Sequence, residues 1–333
     1  MIISRTPFRI SFFGGGTDYP DWYRENGGAV LATTINKYCY ITCRYLPPFF
    51  DYKSRVVWSH VEYVNSVEEI QHPSVRETLA FMNVDDGVEI HHDGDLPARS
   101  GLGSSSSFTV GLLHALYALR GQMTSNRKLA RDAIYIEQER LHEHVGIQDQ
   151  IVTSFGGLNH VVISPDGGYD VQPLILGRER SALLQNHLML FFTGISRNAS
   201  DVAAAQIEAI PDKSGELHKI SEMVDEGRNI VTGNADITHF GRLLHEAWLV
   251  KRSLSNRIST SEIDGIYEAG RHAGAVGGKL LGAGGGGFML LFVRPEDQLN
   301  VKEELNSLLH VPFAFESSGS QIIFYDSDND ESA

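Results

Sequence analysis

Leu96-Pro97-Ala98-Arg99-Ser100-Gly101-Leu102-Gly103-Ser104-Ser105-Ser106-Ser107 runs directly into Phe108 to Leu119, where Phe108, Leu112, Ala115, Leu116 and Leu119 recur at helical spacing. The two glycines free the backbone to curl. The serines fall at the helix start, where unpaired N–H groups and the positive end of the helix dipole favour an anion. One serine would be enough to cap a helix; four hydroxyls can also help hold a cation bound to phosphate. The stretch therefore reads as a phosphate loop. No Gly-x-x-x-x-Gly-Lys-[Ser/Thr] occurs, so it is not of the Walker type.

Working outward, Gly282-Ala-Gly-Gly-Gly-Gly287 formally matches a dinucleotide fingerprint, but Phe288 to Val293 after it reads as a strand where that fold needs a helix. A loop packing closely on another backbone or on a ligand fits better. Arg127 to His142 reads as a helix capped by Ser125 or Asn126. On it Glu137 shares the apolar face with Ala130, Ala133, Ile134 and Leu141, while Glu139 is turned about 200° away at ~100° per residue. An inward acid must be paired or bind a cation. Asp149 sits in the polar stretch Val145 to Gln150 between apolar segments, where a helix cap is one reading. Arg9 lies in the apolar strand Ile2 to Phe13, just before Gly14-Gly15-Gly16-Thr17-Asp18-Tyr19, and needs an anionic partner.

Further strands are expected at Ala29 to Arg44, Val56 to Val64, His160 to Ser164, His187 to Phe192 and Gln321 to Tyr325. Helical patterns cover Ser200 to Ile210, Glu216 to Thr232, Ile237 to Ser255, Glu262 to Ala273 and Glu296 to Leu309. Strands and helices mix without regular alternation, which predicts an α+β protein in two parts.

Taken in order, Pro7 to Tyr19, Pro97 to Ser107 and Lys279 to Gly287 resemble the three motifs of the GHMP kinase superfamily. The resemblance implies an N-terminal domain like domain 2 of ribosomal protein S5 over 1–175 and a ferredoxin-like C-terminal domain over 176–325. An acidic disordered tail over 326–333 is expected from its composition. By the same resemblance Gly101, Gly103, Ser104, Ser105, Ser106, Gly284 and Gly285 would hold the ATP phosphates. Ser105 and Glu137 would hold Mg²⁺, with Asp149 and Arg9 at the attacking hydroxyl. Gly14 to Tyr19 and Val145 to Gln150 resemble the branch that phosphorylates sugars at the anomeric position, which includes heptose 7-phosphate kinases and fucokinases. Phe192 to Ser200 and Leu244 to Lys251 look most like the heptose kinases. The implied reaction is transfer from ATP to the C1 hydroxyl of D-glycero-D-manno-heptose 7-phosphate, giving the 1,7-bisphosphate for nucleotide-activated heptose. Thr17, Asp18 and Gly16 would meet the sugar, and Arg197 and Lys251 its phosphate. The competing expectations are a fucokinase-like or other small-molecule kinase of this superfamily, and a non-catalytic sensor of ATP and sugar.

Composition agrees with a small-molecule enzyme. The chain has 333 residues and a formal net charge of −14, which argues against nucleic acid or an anionic membrane as partner. A homodimer is compatible with the resemblance. Cys39 and Cys43, the two cysteines, exclude a disulfide scaffold and read as core residues on one strand face. No signal-peptide pattern opens the chain, and its longest strongly apolar run, Phe288 to Val293, is far short of the ~20 residues that span a bilayer, so a cytoplasmic protein is expected.

Overall fold

The computed structural model describes residues 1–98, 100–195 and 199–326. The first part of the chain runs β1 (Ile2–Phe13), α1 (Pro20–Asn26), β2 (Gly28–Tyr45), β3 (Ser54–Val57), β4 (Val61–Val64), α2 (Pro73–Met82), β5 (Val88–Gly94), α3 (Ser104–Leu119), α4 (Asn126–Tyr135), α5 (Gln148–Phe155), β6 (Leu158–Ile163) and β7 (Tyr169–Pro173). Then follow α6 (Arg178–Asn186), β8 (Leu188–Phe192), α7 (Ala199–Ala209), α8 (Ser214–Thr232), α9 (Thr238–Leu254), α10 (Ser261–His272), β9 (Ala275–Leu280), β10 (Phe288–Val293), α11 (Gln298–Glu304), β11 (Leu309–His310), β12 (Phe315–Glu316) and β13 (Gln321–Tyr325).

Two sheets result, as an α+β chain requires. The first has nine strands with the path β13-β1-β2-β5-β3-β4, and β6, β7 and β12 attached through β2 and β6. Its frame is β2. One edge pairs with β1, while the other serves β6 at Gly28–Thr33, β12 at Thr34–Ile35 and β5 at Cys39–Tyr45. The register of β1 on β2 shifts at Pro7/Phe8, where proline cannot donate to the ladder. The second sheet is antiparallel, in the order β11-β8-β10-β9. Because β12 and β13 return to β2 and β1, residues 315–325 help build the first sheet, a placement the expected division at 175/176 does not contain.

Helix α3 packs on β1 and β2, and α8 and α9 carry the second part onto the same strands. The join is aromatic. Phe240 of α9 stacks edge-on against Phe12 and Phe13 of β1, at 5.3 and 5.2 Å between ring centroids, and lies 6.4 Å from Phe292 of β10. One buried cluster thus runs from Ile2 to Phe292 through both sheets. Cys39 and Cys43 are both buried in it, as the strand spacing predicts.

Several boundaries differ from expectation. Val56 to Val64 is not one strand but the hairpin β3–β4, turned through Trp58 to His60 by the Trp58 N–H to His60 carbonyl bond of 2.9 Å. The helix after Ser125, whose hydroxyl does cap it, stops being α-helical at Tyr135 and continues as a π-turn over Ile136–Arg140. The helix expected over Glu296 to Leu309 is confined to α11, and Leu309–His310 forms β11. Of the expected acidic tail, Asp326 extends the pairing of the termini, exchanging two backbone hydrogen bonds with Met1; residues 327–333 lie outside the described part.

Candidate active site

The site is built where β1, the loop before α3 and the start of α5 meet. Arg9 joins all three. Its backbone N–H donates to the Leu102 carbonyl (2.9 Å), and its Nη1 donates to the Gly101 carbonyl (2.7 Å). Its Nε and Nη2 donate to the two carboxylate oxygens of Asp149, each at 2.6 Å. This two-point, charge-assisted pair fixes the acid in direction as well as place. Arg9 is 3% exposed and Asp149 23%, so the carboxylate stays partly open to solvent. Asp149 is the second residue of α5 rather than its cap, in the turn where the helix dipole favours an anion.

The loop expected to cradle phosphate is pinned from below by the second glycine run. Gly101 and Gly282 both have left-handed φ, +78° each, and touch backbone to backbone: a Cβ on Gly101 would stand 2.4 Å from the Leu281 carbonyl, and one on Gly282 2.6 Å from the Gly101 Cα. Gly103 opens α3 with no side-chain cap, leaving the first amides of the helix to a ligand. Its missing side chain makes room for Arg9 Cγ, 3.1 Å from the Cβ position. Ser107 is structural, its hydroxyl donating to the Pro7 carbonyl (3.0 Å). Ser104 starts the helix and Ser105 is exposed. Gly284 and Gly285, expected at the ATP phosphates, lie against the backbone of Ile258. The Gly285 amide donates to the Ile258 carbonyl (2.9 Å), and a Cβ on Gly284 would meet that same carbonyl at 2.7 Å. These two glycines fold the loop onto its own domain.

Glu137 is fully buried on the π-turn, a distortion that often marks functional positions. Its Oε2 accepts from Ser106 Oγ (2.9 Å) and from Gln150 Nε2 (2.5 Å). Its Oε1 is buried and takes no hydrogen bond among the described residues. Burial first, then the neighbouring Glu143, pushes its pKa up to about 8. A lone carboxylate with one orphaned oxygen beside a hydroxyl is the donor set of an ion that completes its shell with phosphate oxygens and water, as Mg²⁺ does. No cluster of three or more His, Cys, Asp or Glu exists among the described residues. Ser105, expected with Glu137 at Mg²⁺, makes no side-chain bond to that acid among the described residues. Ser105 points outward, and Ser106, one residue on and about 100° further round the helix, reaches the acid instead.

The turn after β1 divides its labour. Asp18 is buried, its Oδ1 accepting from the Gly16 amide (2.9 Å). Burial and the nearby Asp149 raise its pKa, against the lowering from that amide and Lys251. Thr17 does not face the cleft. Fully buried, its hydroxyl bonds the Gly14 and Ala29 carbonyls at 2.9 Å each and so stitches the turn to β2. Gly16 presents its Cα side to Leu217. Lys251, expected to reach a phosphate, is 8% exposed and donates from Nζ to the Gly282 carbonyl (2.7 Å). Burial drives its pKa down to about 8. Arg197 lies outside the described residues. Two residues of the site were not expected: Gln150, and Lys279 of β9, buried, held well below the usual lysine pKa by that burial and donating to the Phe12 carbonyl (2.8 Å). A lysine amid Gly277-Gly278 and Leu280-Leu281 was the available signal for the second.

Residues 65–157 match the sequence family of the GHMP kinases N terminal domain, and residues 232–311 that of the GHMP kinases C terminal domain. The chain belongs to the GHMP kinases. This GHMP kinase is 28% identical to D-glycero-alpha-D-manno-heptose 7-phosphate kinase of Campylobacter jejuni, over 91% of this chain and 93% of that one. It is 24% identical to L-fucokinase/L-fucose-1-P guanylyltransferase of Bacteroides fragilis, over 92% of this chain but only 36% of that longer protein. Its fold is that of a D-glycero-D-manno-heptose 1-phosphate kinase from Bacteroides thetaiotaomicron, with a TM-score of 0.79, 24% identity, and coverage of 98% of this chain and 100% of that one. Membership makes it an ATP-dependent phosphotransferase. No helix among the described residues is long and apolar enough to cross a membrane.

Proposed function

We propose that this kinase transfers the γ-phosphoryl of ATP to the C1 hydroxyl of D-glycero-D-manno-heptose 7-phosphate. The observation that carries the reading is the Arg9–Asp149 pair, held against the phosphate loop through Gly101 with Asp149 partly open to solvent. The similarity to the Campylobacter heptose 7-phosphate kinase over nine-tenths of both chains supports the sugar.

Phosphoryl transfer needs alignment and charge stabilisation more than covalent chemistry from the protein. The open amides at the start of α3 receive the phosphates. Glu137 and Ser106 would hold Mg²⁺, which supplies positive charge to the triphosphate when bound. Asp149 still has lone pairs to spare beyond its two bonds to Arg9. It orients the acceptor hydroxyl and takes its proton as the new O–P bond forms and the bond to ADP breaks. Arg9 keeps the acid aimed and offsets the negative charge gathering there. Asp18 binds sugar hydroxyls.

The test is ADP release with Mg-ATP and a panel of heptose 7-phosphate, free mannoheptose, fucose, galactose and mevalonate, with Asp149→Asn in parallel. Turnover confined to heptose 7-phosphate and lost in the variant is expected. Preferred turnover of fucose would overturn the choice of sugar. ATP binding without turnover of any acceptor would overturn the kinase reaction itself in favour of a sensor.

A further inference from the structure

Gln150 follows Asp149 on α5 and is fully buried. Successive residues of a helix point about 100° apart, and the two side chains part accordingly, Asp149 to Arg9 and Gln150 to Glu137. The amide Nε2 of Gln150 donates to Glu137 Oε2 at 2.5 Å, and Ser106 Oγ donates to the same oxygen at 2.9 Å. Three elements thus meet at one carboxylate: α3, the π-turn and α5. Both donors fall on Oε2. Glu137 Oε1 and Gln150 Oε1 are buried and take no hydrogen bond among the described residues.

The two bare atoms are of one kind. A carboxylate oxygen and an amide carbonyl oxygen are both acceptors when the acid is ionised. An anion cannot complete them; a cation or a proton donor can. Leaving such atoms unmet in the interior is costly. Charge selects the cation. The charged group that acts on Glu137 is Glu143, another acid. The cations of the site are engaged elsewhere, Arg9 with Asp149, and Lys251 and Lys279 with the carbonyls of Gly282 and Phe12. Carboxylate and amide oxygens are the donors that a hard divalent cation takes. Ser106 ties the pair to the first turn of α3, whose amides are open to phosphate.

We infer that Gln150 is a ligand of that cation, its Oε1 joining Glu137 Oε1, while its Nε2 keeps the acid turned so that one oxygen stays bare. The inference rests on the reading of Glu137 as the acid that holds Mg²⁺. One carboxylate and one neutral amide carry a single negative charge, too little to hold a free ion tightly, so the site favours a cation that arrives on the nucleotide. Gln150 and Asp149 are consecutive. The ion that draws on Gln150 therefore also fixes the turn of helix that presents Asp149, and cation and acid are set in place together.

Gln150→Met keeps the length of the side chain and removes both polar atoms. Gln150→Glu keeps an oxygen ligand and removes the N–H donor. Mn²⁺ binding is read by electron paramagnetic resonance in the presence of a non-hydrolysable ATP analogue, with Glu137→Gln as the reference variant. Gln150→Met is expected to weaken Mn²⁺ by roughly tenfold or more, with the affinity for the metal-free analogue within twofold. Gln150→Glu is expected to bind Mn²⁺ at least as tightly as the parent. In parent protein labelled with ¹³C at the glutamine side-chain carbonyls, electron–nuclear double resonance should show a carbonyl carbon coupled to Mn²⁺ that Gln150→Met lacks. The measurement on the parent does not depend on the folding of any variant. If both Gln150 variants weaken Mn²⁺ alike and no coupling appears, the amide only steers Glu137 through its N–H, and ligation is overturned. If Glu137→Gln weakens Mn²⁺ while neither Gln150 variant does, ligation is overturned and the role of Glu137 stands. If Glu137→Gln leaves Mn²⁺ binding unchanged, the reading of Glu137 falls, and the inference with it.

Discussion

Gly101 and Gly282 meet with no side chain between them, the Cα of the first 2.6 Å from where a Cβ of the second would be. This contact sets the height of the phosphate loop, because Arg9 holds the Gly101 carbonyl from one side and Lys251 the Gly282 carbonyl from the other. Both glycines also need a left-handed backbone. Gly282→Ala is expected to cost about 2 kcal/mol or more in stability and to raise KM for ATP. Denaturant unfolding and kinetics check this, and an alanine variant that keeps both would show that the loops are not in contact.

The Arg9–Asp149 pair should behave as one unit. Asp149→Asn is expected to lower kcat by roughly 10²–10⁴, with KM for ATP little changed. Arg9→Lys keeps the charge but loses the two-point geometry and should lower kcat by about tenfold or more. In a double-mutant cycle the combined loss should fall well short of the sum. Additive losses would mean that the two side chains act separately.

Much of this pair was legible in the sequence. An arginine in an apolar strand demands an anion, and the inward face of the helix after Ser125 placed Glu137 in the interior. The individual serines were not legible, since one residue turns a helix by ~100° and no pattern in Ser104 to Ser107 distinguishes the side facing Glu137. The resemblance puts Thr17 beside Asp18 at the sugar, but its hydroxyl is tied to Ala29 of β2, a long-range contact that no local pattern in the sequence reveals. The resemblance puts Lys251 at the phosphate of the sugar; α9 packs on β9, and the Lys251 side chain is buried and donates to the Gly282 carbonyl.

The serines provide a direct comparison. Ser106→Ala removes the hydroxyl that donates to Glu137 and should lower kcat at least tenfold. Ser105→Ala, altering an exposed side chain, should stay within about threefold. Steady-state kinetics with varied Mg²⁺ decides. The reverse ranking would return the role to Ser105.

Glu137 should impose a pH dependence on the ligand-free protein. Its folded pKa of about 8 lies above the ordinary carboxylate value. Between those limits the unfolded chain has released the proton and the folded chain still holds it, so stability falls as pH rises through the window. Glu137→Gln abolishes that part of the slope, so the variant gains several degrees of Tm on the parent as pH goes from 5 to 8 while losing activity. Parallel Tm curves from pH 5 to 8.5 would contradict the buried, protonated acid.

Thr17→Val should separate structure from binding. It removes the hydroxyl's bond to the Ala29 carbonyl and the acceptor of the Ala29 amide and should cost about 1–3 kcal/mol, while KM for the sugar stays within twofold in the folded fraction. A raised KM at unchanged stability would put the hydroxyl in the cleft after all.

The return of β13 to β1 bears on how the chain matures during synthesis. Ile2 pairs with Tyr325, and Thr34 and Ile35 are flanked by Glu316 and Phe315. Strand β1, the first of the described strands to be made, therefore keeps an open edge until nearly the whole described chain has followed it. Such far-separated pairing is slow to form, and unpaired strand edges invite association with other chains. The nascent first half is thus expected to depend on holding factors, and a chain cut before Phe315 should aggregate rather than accumulate as a stable ATP-binding half.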